Sequence, residues 1–489
     1  MTDSNGAMEN NSDSIEKQFE EYRLKSEDAN ISSRHVKMIS MSGINVMMDF
    51  FDNFIIAFVL ASIIGPWGLT YGQSSIVLLA SGIGAAVGAF AYGRLADIYG
   101  RRFSIIACII NFNIFTFFMV FVPDQGWVLL SILRVCVGFG IGGLVVIIIP
   151  LIQELSPSRL RGRMTAVTSL FIQGGSVLAA GVAAMLIAVI GWRGLFMVSL
   201  IPMISLIGVI FWVPESPRWL EGKGRYGNAV NVFKYMLKER RRFRDLRDKA
   251  EKEKAAKEFV VQEARKGGFG KLFKYPRSII STTLINFGVQ FQATALSMWG
   301  VTMLLMVLNV PINVAAFYFL IISTGGFAGR LAGGFLLDSI GRRKTGILFA
   351  ACTSACCLIA TFTFHLYIGA VPVMVLVMWF VSVFGDGGTG MMVSYVGEVW
   401  PKHLRASGQG WGAGTGNIAR IVAPLILAVL AGSGNLVQPA ATLAVAPGYF
   451  YFMAGSILLA IVGYAIGYET KGKSIEEIDK HFMEQTKTR

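Results

Sequence analysis

Two acidic residues, Asp49 and Asp52, stand three positions apart in the apolar segment 43–65. On a helix this spacing places both carboxyl groups on one face, where like charges repel and lose hydration. A charge at membrane depth costs about 2.5–3.5 kcal/mol on insertion scales, so it usually has a functional reason. We therefore expect this pair to bind and release a proton. A pair at the end of a helix, bathed in water, is the alternative.

Three further charges interrupt apolar segments, namely Arg134, Asp386 and Arg420. The planar guanidinium of Arg420 suits a carboxylate or a phosphate. It could therefore bind an anionic substrate, and it could equally serve only to neutralise Asp386. Arg330 stands near the end of its segment, where we expect its long side chain to reach the headgroup region.

The elements that must position these charges are predicted to be membrane-spanning helices. Of the 489 residues, 54% are hydrophobic and 15% are charged, whereas soluble proteins carry roughly 25% charged residues. Apolar runs of about 20 residues can cross a bilayer, and only helices satisfy their own backbone there. The twelve predicted spans lie near 43–65, 74–93, 103–122, 128–150, 164–189, 194–213, 278–307, 313–336, 346–366, 371–395, 408–431 and 447–467.

The net charge of +14 could suit nucleic acid, but its distribution indicates membrane topology instead. Lys and Arg occupy alternate loops, and the loops 66–73, 123–127, 308–312, 367–370 and 432–446 contain neither. This positive-inside pattern predicts cytoplasmic termini in an inner or plasma membrane. No nucleic-acid partner is expected. The polar residues 1–40 are predicted to form a disordered cytosolic tail.

The sequence gives little indication of catalysis or metal binding. Five cysteines lie inside the predicted spans, at spacings that fit no zinc site, and no disulfide framework is expected. No nucleotide-binding loop or catalytic triad is visible in the sequence. We therefore expect neither an enzyme nor a bound cofactor or metal.

An internal repeat divides the chain into two related halves. The pattern G-x-L-x-D-x-x-G-R-R occurs at 93–102 and again at 334–343, and the stretch 154–161 aligns with 398–405. The predicted organisation is a six-helix bundle at 41–213, a cytosolic linker with amphipathic helices at 214–276, a second bundle at 277–467 and a cytosolic tail at 468–489. Parallel six-helix repeats are typical of transporters that work by alternating access.

These motifs resemble the major facilitator superfamily over residues 40–480, and the strings at 150–162, 214–220 and 469–477 resemble its sugar-porter clade. The resemblance implies an all-α membrane fold of twelve helices in two repeats. It also implies ion-pair clusters that close the cytosolic side in the outward-open state. The alternative is that these charges only set the membrane topology. The members are Asp97, Arg101, Glu154, Arg161, Arg163 and Glu215, with Asp338, Arg342, Glu398, Arg405 and Glu469 as counterparts.

The resemblance further suggests that Arg134 pairs with Asp49 or Asp52, as a structural ion pair or in proton coupling. A solute site would then lie at the midplane between the halves. Its candidate residues are Gln173, Asn286, Gln290, Trp299, Asp386, Tyr395, Trp411, Asn417 and Arg420. Trp411 could instead be a packing or interfacial residue.

The substrate class rests on weaker signals. The Asp49–Asp52 pattern, Trp299 and residues 325–329 resemble the aromatic-acid and phosphate proton symporters, and the surroundings of Arg420 resemble the organic-acid branch. The segment 142–145 lacks the acidic residue of the phosphate branch, which argues against phosphate. We expect proton-coupled uptake of a small organic anion, with a sugar or polyol symporter as the alternative. A drug antiporter and a non-transporting nutrient sensor are less favoured. The expected partners are the solute, protons and the bilayer. We expect the chain to work as a monomer, and the proton gradient to drive the transport.

Overall fold

The computed structural model describes residues 3–157, 161–201, 203–239, 269–401 and 404–470. Up to the linker, the helices are α1 Asp3–Asp28, α2 Ser33–Trp67, α3 Tyr71–Tyr99, α4 Arg101–Met119, α5 Trp127–Leu155, α6 Arg161–Val198, α7 Met203–Trp212, α8 Pro217–Gly222 and α9 Tyr226–Met236. After the linker come a 3-10 helix at Phe269–Lys274, α10 Pro276–Val307, α11 Ile312–Ser339, α12 Arg342–Thr363, α13 Val373–Glu398, α14 Arg405–Ala431 and α15 Pro439–Ile466. A two-residue hairpin, β1 Tyr367–Ile368 with β2 Val371–Pro372, joins α12 to α13.

The predicted all-α fold of twelve spanning helices is confirmed, with α2–α7 and α10–α15 matching the twelve predicted segments. Within the described chain, ten of these helices are long and apolar enough to cross a membrane by length and composition. The other two are the sixth span and α10. The sixth span begins after a kink at Gly191 (φ 64°, ψ −176°) within α6 and continues in the short α7, and α10 carries several Ser, Thr, Asn and Gln side chains. A span with polar side chains is tolerated where they face the protein interior and not lipid.

The two halves pack their helices in the same way. In the first half α2 packs on α6 and α3 on α5, and in the second half α10 packs on α14 and α11 on α13. Between the halves, α6 contacts α11, α3 contacts α14 and α2 contacts α10. The helices that carry Asp49, Gln173, Gln290 and Arg420 therefore all lie at the boundary between the halves.

The prediction that residues 1–40 form a disordered tail is wrong for the described part of this segment. Helix α1 packs on α9, and Phe19 is buried against the rings of Tyr226 and Phe233, with ring centroids 5.6 and 5.8 Å away. Tyr22 also packs against this cluster, and Lys234 of α9 lies over its ring, so aromatic side chains hold this otherwise polar helix on the linker. The predicted helices of the linker are present as α8 and α9, while residues 240–268 lie outside the described chain.

Candidate functional site

Asp52 and Arg134 form a buried ion pair between α2 and α5. Arg134 Nη1 lies 2.9 Å from Asp52 Oδ2, and both side chains are at most 1% exposed. The Thr116 hydroxyl approaches Asp52 Oδ1 at 3.5 Å from α4. Of the two partners that the sequence left open for Arg134, the tertiary structure selects Asp52.

Asp49 lies one helical turn before Asp52 and is buried to the same degree. Its Oδ1 has no hydrogen-bond partner, and no cation among the described residues lies within ion-pair distance of it. Its opposite charge is Arg420, which interacts with it electrostatically across the boundary between the halves. Helix α2 thus carries one paired carboxylate, Asp52, and one carboxylate without a direct cation, Asp49.

Arg420 presents its guanidinium to the interface between the halves. The Gln290 amide is oriented so that its oxygen faces the Arg420 guanidinium. In this orientation the oxygen accepts from Arg420 Nη2 at 3.0 Å and from Arg420 Nε at 3.2 Å. Asn417, three residues earlier on the same face of α14, is half-buried, as are Arg420 and Gln290. All three residues lie within spanning helices at the boundary between the halves. Because their side chains are partly exposed there, accessible space is present between the halves. A cation held by a neutral amide there keeps its charge available to an anion.

Asp386 has a different partner from the one that the sequence offered. Its Oδ2 accepts from the Ser382 hydroxyl at 2.7 Å, and its electrostatic partner is Arg330, not Arg420. Arg330 Nε in turn donates to Gln173 Oε1 at 3.3 Å, across the two halves. The expectation that Arg330 reaches the headgroups is therefore wrong, because this cation has partners inside the protein.

Four other candidate residues form their described hydrogen bonds with groups other than the Arg420 side chain. Asn286 donates to the carbonyl of Thr282 in its own helix. Tyr395 is fully buried and donates to the Tyr468 carbonyl at 2.8 Å, in the packing cluster that also contains Tyr464. Trp411 donates to Thr283 Oγ1 at 2.8 Å and meets Phe273 edge-on. The fourth, Trp299, belongs to the closed end described below.

At the end that carries the basic loops, here called the basic end, Glu215 binds the start of α4. Its carboxylate accepts from the backbone N–H groups of Arg101 at 2.8 Å, Arg102 at 3.2 Å and Ser216 at 3.0 Å. Gly100 precedes α4 with a φ of 102°, and a Cβ at this position would overlap Glu215 Oε2. An anion at a helix N-terminus satisfies backbone donors that have no partner within the helix.

Glu154 completes the cluster of the first half. It accepts from the Ser216 hydroxyl and pairs with Arg101 Nη2 at 3.1 Å. The Asp97 carbonyl accepts from Trp219 Nε1 at 2.9 Å. These bonds tie α3, α4, α5 and α8 together at the basic end of one half.

The second half repeats this cluster with other residues. Glu469 accepts from the backbone N–H groups of Arg342 at 3.1 Å and Arg343 at 3.2 Å, at the start of α12. Glu398 accepts from the Thr470 hydroxyl and lies 3.6 Å from Arg342 Nε. The described bonds of each cluster join elements of the same half. The side chains of Arg161, Arg163, Asp338 and Arg405 lie outside the described part of the chain.

Burial raises the pKa of the Glu215 carboxyl, and the backbone N–H groups of Ser216, Arg102 and Arg101 oppose this shift. Removal of a carboxylate from water disfavours its charged form, and donors that point at it favour that form. The net direction is upward, so burial outweighs the hydrogen bonds at this position.

The end opposite to the basic end is closed by a contact between the halves, which we call the far-end clasp (residues 69–72 and 433–437). Backbone N–H groups of Tyr71 and Gly72 donate to the carbonyls of Asn435 and Ser433, each at 3.0 Å, and Val437 donates back to Leu69 at 3.2 Å. The Tyr71 hydroxyl also bonds Thr442 Oγ1 at 2.7 Å. The structure therefore joins its halves at the end that lacks basic loops.

Several residues of this interface escaped the sequence reasoning. Thr116 and Ser323 are ordinary members of apolar segments and Tyr71 belongs to the predicted loop 66–73, and no spacing rule distinguishes the three from packing residues. Ser323 accepts from Gln173 Nε2 at 3.0 Å through its carbonyl, and its hydroxyl bonds Ser176 at 3.1 Å. Arg330 was named from the sequence but assigned to the headgroup region, although the rule that selected Arg420 applies equally to any charge inside a span.

Comparison with known proteins agrees with this architecture. A chain of the xylose transporter XylE from E. coli, solved in an inward-open conformation, superimposes with a TM-score of 0.69 at 18% identity, over 91% of this chain and 99% of that one. The niacin transporter NiaP of Acinetobacter baylyi is 27% identical over 459 residues, 92% of this chain and 98% of the relative. The major myo-inositol transporter IolT of Bacillus subtilis is 34% identical over 170 residues, 34% of this chain and 36% of that protein.

The family model described as "Sugar (and other) transporter" matches residues 15–482, which is nearly the whole chain. Its members are transporters and not enzymes, as the sequence predicted. With the twelve spanning helices and the duplicated halves, this match makes the chain a multi-pass membrane transporter of the major facilitator superfamily that belongs to the sugar (and other) transporter family.

Proposed function

We propose that this transporter couples proton movement to the uptake of a small organic anion, such as an aromatic or carboxylic acid. The observation that carries the proposal is Arg420, a half-buried guanidinium between the halves whose direct described partner is the neutral amide of Gln290. A cation at membrane depth without a bound carboxylate is expensive, and an anionic solute would supply the missing charge. The niacin transporter at 27% identity supports the same class of solute.

Proton coupling rests on the two carboxylates of α2. Asp52 is held by Arg134, whereas Asp49 has no direct cation and faces Arg420 only through space. We propose that Asp49 carries the proton and that the solute and Asp49 both interact with the charge of Arg420. When the solute binds Arg420, Asp49 loses its long-range counter-charge and takes up a proton. This linkage ties proton binding to solute binding without any cofactor.

Orientation follows from the loop charges. We propose that the basic end faces the cytoplasm, that both termini are cytoplasmic, and that the chain works as a monomer in an inner or plasma membrane. The two basic-end clusters would then act as the cytosolic gate, each strengthened when the halves close there. The far-end clasp would seal the outer side in the conformation described here.

The proposal is tested by uptake into proteoliposomes with an imposed pH gradient, acidic outside. Radiolabelled nicotinate and benzoate are compared with xylose and myo-inositol as solutes. We expect gradient-driven accumulation of a carboxylate, and Arg420→Gln should weaken its apparent affinity about 10- to 100-fold, as expected when a hydrogen bond to a charged group is lost. Arg420→Lys keeps the charge but loses the fork, so it should retain part of the affinity.

Arg193→Gln provides a matched control, because this arginine pairs with Asp124 in an exposed position and should leave uptake unchanged. Unaltered carboxylate affinity in Arg420→Gln would remove the anion-binding role. Uptake that ignores the pH gradient in the unmodified protein would remove proton coupling.

A sugar or polyol remains the second candidate. The family match and the 34% identity to a myo-inositol transporter over part of the chain favour it. For a neutral solute, Asn417, Gln290 and Gln173 would supply the hydrogen bonds. Gradient-driven uptake of myo-inositol or xylose, with no uptake of either carboxylate, would decide for this alternative.

A further inference from the structure

Pro424 lies inside α14, one turn beyond Arg420. A proline has no N–H, so it cannot donate to the carbonyl four residues earlier, and here that carbonyl belongs to Arg420. The helix is therefore weakened at the turn that carries the proposed anion-binding side chain. A weakened turn needs other contacts to hold its geometry.

Two side chains from different helices supply those contacts, and both donate to the carbonyl of Pro424. The Ser75 hydroxyl lies 2.8 Å away on α3, in the first half, and Trp299 Nε1 lies 3.2 Å away on α10, in the second half. Both donor residues are fully buried. The same oxygen is thus bound from both sides of the boundary that must separate when the far end opens.

Trp299 is also in contact with the far-end clasp. Its ring lies 6.1 Å from the ring of Tyr71, centroid to centroid, and Tyr71 provides one of the backbone bonds of the clasp and the hydroxyl bond to Thr442. A continuous chain of contacts therefore runs from the clasp through Tyr71 and Trp299 to Pro424, and along one helical turn to Arg420.

We propose that Ser75 and Trp299 are positioning residues, which hold the Arg420 turn of α14 in its binding geometry only while the far-end clasp is closed. Opening of the far end moves α3 away from α14, removes the Ser75 bond and separates Tyr71 from Trp299. The Arg420 turn is then free to change its geometry. The inference that this movement affects solute binding rests on the proposed role of Arg420, whereas the link between Pro424 and the clasp does not.

The clasp itself provides the probe. A Cβ built on Gly72 lies 3.3 Å from Ser433 Cβ and 2.9 Å from the Ser433 carbonyl oxygen. A separation of the two segments by a few tenths of an ångström relieves this close contact and gives the Cβ separation of about 3.5–4.5 Å found in disulfides. The double variant Gly72→Cys/Ser433→Cys should therefore form a disulfide on mild oxidation, block uptake, and recover on reduction. The native cysteines are buried or half-buried within the spanning helices and are free. The rate of disulfide formation in membrane vesicles then reports how often the far end is closed.

Ser75→Ala and Trp299→Phe are introduced into this double-cysteine background. Each removes one donor to Pro424, and each should slow disulfide formation about threefold to tenfold, the effect expected for a hydrogen bond of about 1 kcal/mol. Ser62→Ala and Trp379→Phe are the matched controls. Ser62 bonds a carbonyl in its own helix, whereas the Ser75 bond crosses the boundary between the halves. The Trp379 bond to Thr324 and the Trp299 bond to Pro424 both lie within the second half, but Trp299 also packs on Tyr71 of the far-end clasp, whereas the ring of Trp379 contacts Phe380.

Disulfide formation at the unmodified rate in both Ser75→Ala and Trp299→Phe would overturn the inference, as would equal slowing by the two controls. Nicotinate is then added as a probe: it should change the rate in the double-cysteine parent and change it less in the two variants. Suppose that Ser75→Ala and Trp299→Phe slow disulfide formation but that Arg420→Gln leaves nicotinate affinity unaltered. That result would support the link between Pro424 and the far-end clasp and reject the proposed anion site. The two failures are therefore distinguishable.

Discussion

The Asp52 carboxylate lies 2.9 Å from the Arg134 guanidinium, with both side chains buried, whereas Asp49 one turn away has no direct cation. Two acids on one face of one helix therefore have separate environments. Removal of one partner from a buried pair leaves an uncompensated charge, which is far more costly than loss of the pair as a whole.

We therefore expect Asp52→Asn to lower the free energy of unfolding by about 3–5 kcal/mol, because it leaves the Arg134 charge without a partner. The double variant Asp52→Asn/Arg134→Gln should recover a large part of this loss. Thermal unfolding in detergent measures both. Asp124→Asn, which breaks an exposed ion pair, is the control and should cost less than about 1 kcal/mol. Equal losses for the single and double variants would contradict the ion-pair account.

Asp49→Asn should separate proton coupling from solute movement. The amide cannot exchange a proton, so accumulation driven by a pH gradient should fall to the level of vesicles without protein. Exchange of labelled for unlabelled solute, which needs no net proton movement, should continue. Proteoliposome uptake and exchange are measured side by side. Accumulation at the unmodified level would show that Asp49 does not carry the proton.

Gln290→Leu should weaken solute binding through Arg420. The substitution removes both bonds to the guanidinium, so we expect the KM for the anionic solute to rise about tenfold. Gln292→Leu is a close control two residues along the helix, because the buried Gln292 amide has no partner in the structure. Its replacement should be neutral or stabilising. An equal rise in KM for both variants would reject the specific role of Gln290.

Gly100→Ala should disturb the basic-end cluster of the first half. The residue has a positive φ and its Cβ would overlap the Glu215 carboxylate, so we expect a loss of about 1–3 kcal/mol in the free energy of unfolding. Gly93→Ala is the control, because a Cβ there meets no atom within 4 Å. Unfolding temperatures in detergent distinguish the two. Equal unfolding temperatures would contradict the close approach of Glu215 to α4.

Glu215 also predicts a dependence of stability on pH. Because burial raises its pKa in the folded protein, its contribution to the free energy of unfolding is complete below the ordinary pKa of 4.5. That contribution is lost as the pH rises through the folded-state pKa. The stability of the unmodified protein relative to Glu215→Gln should therefore decrease as the pH is raised from about 4 to about 8. Melting curves across this range test the sign, and an increase would contradict it.

The amino-acid sequence by itself determined the spanning helices, the two related halves and the family. Apolar runs and positive loops act locally along the chain, because lipid requires each span to pair its own backbone. The duplicated motifs matched Arg101 with Arg342 and Glu154 with Glu398 before any contact was known, whereas Glu215 and Glu469 were assigned to the two clusters only through the family resemblance. The charges inside the spans were found in the same way, from their cost in an apolar segment.

Only the tertiary structure decided how those charges pair. Arg134 bonds Asp52 and not Asp49, Asp386 has Arg330 and not Arg420 as its electrostatic partner, and Arg420 is held by Gln290. These partners come from helices that are far apart in the sequence, and each pairing depends on how a helix is rotated about its axis. The packing of neighbouring helices fixes that rotation, and packing is a property of the assembled bundle that no single segment encodes.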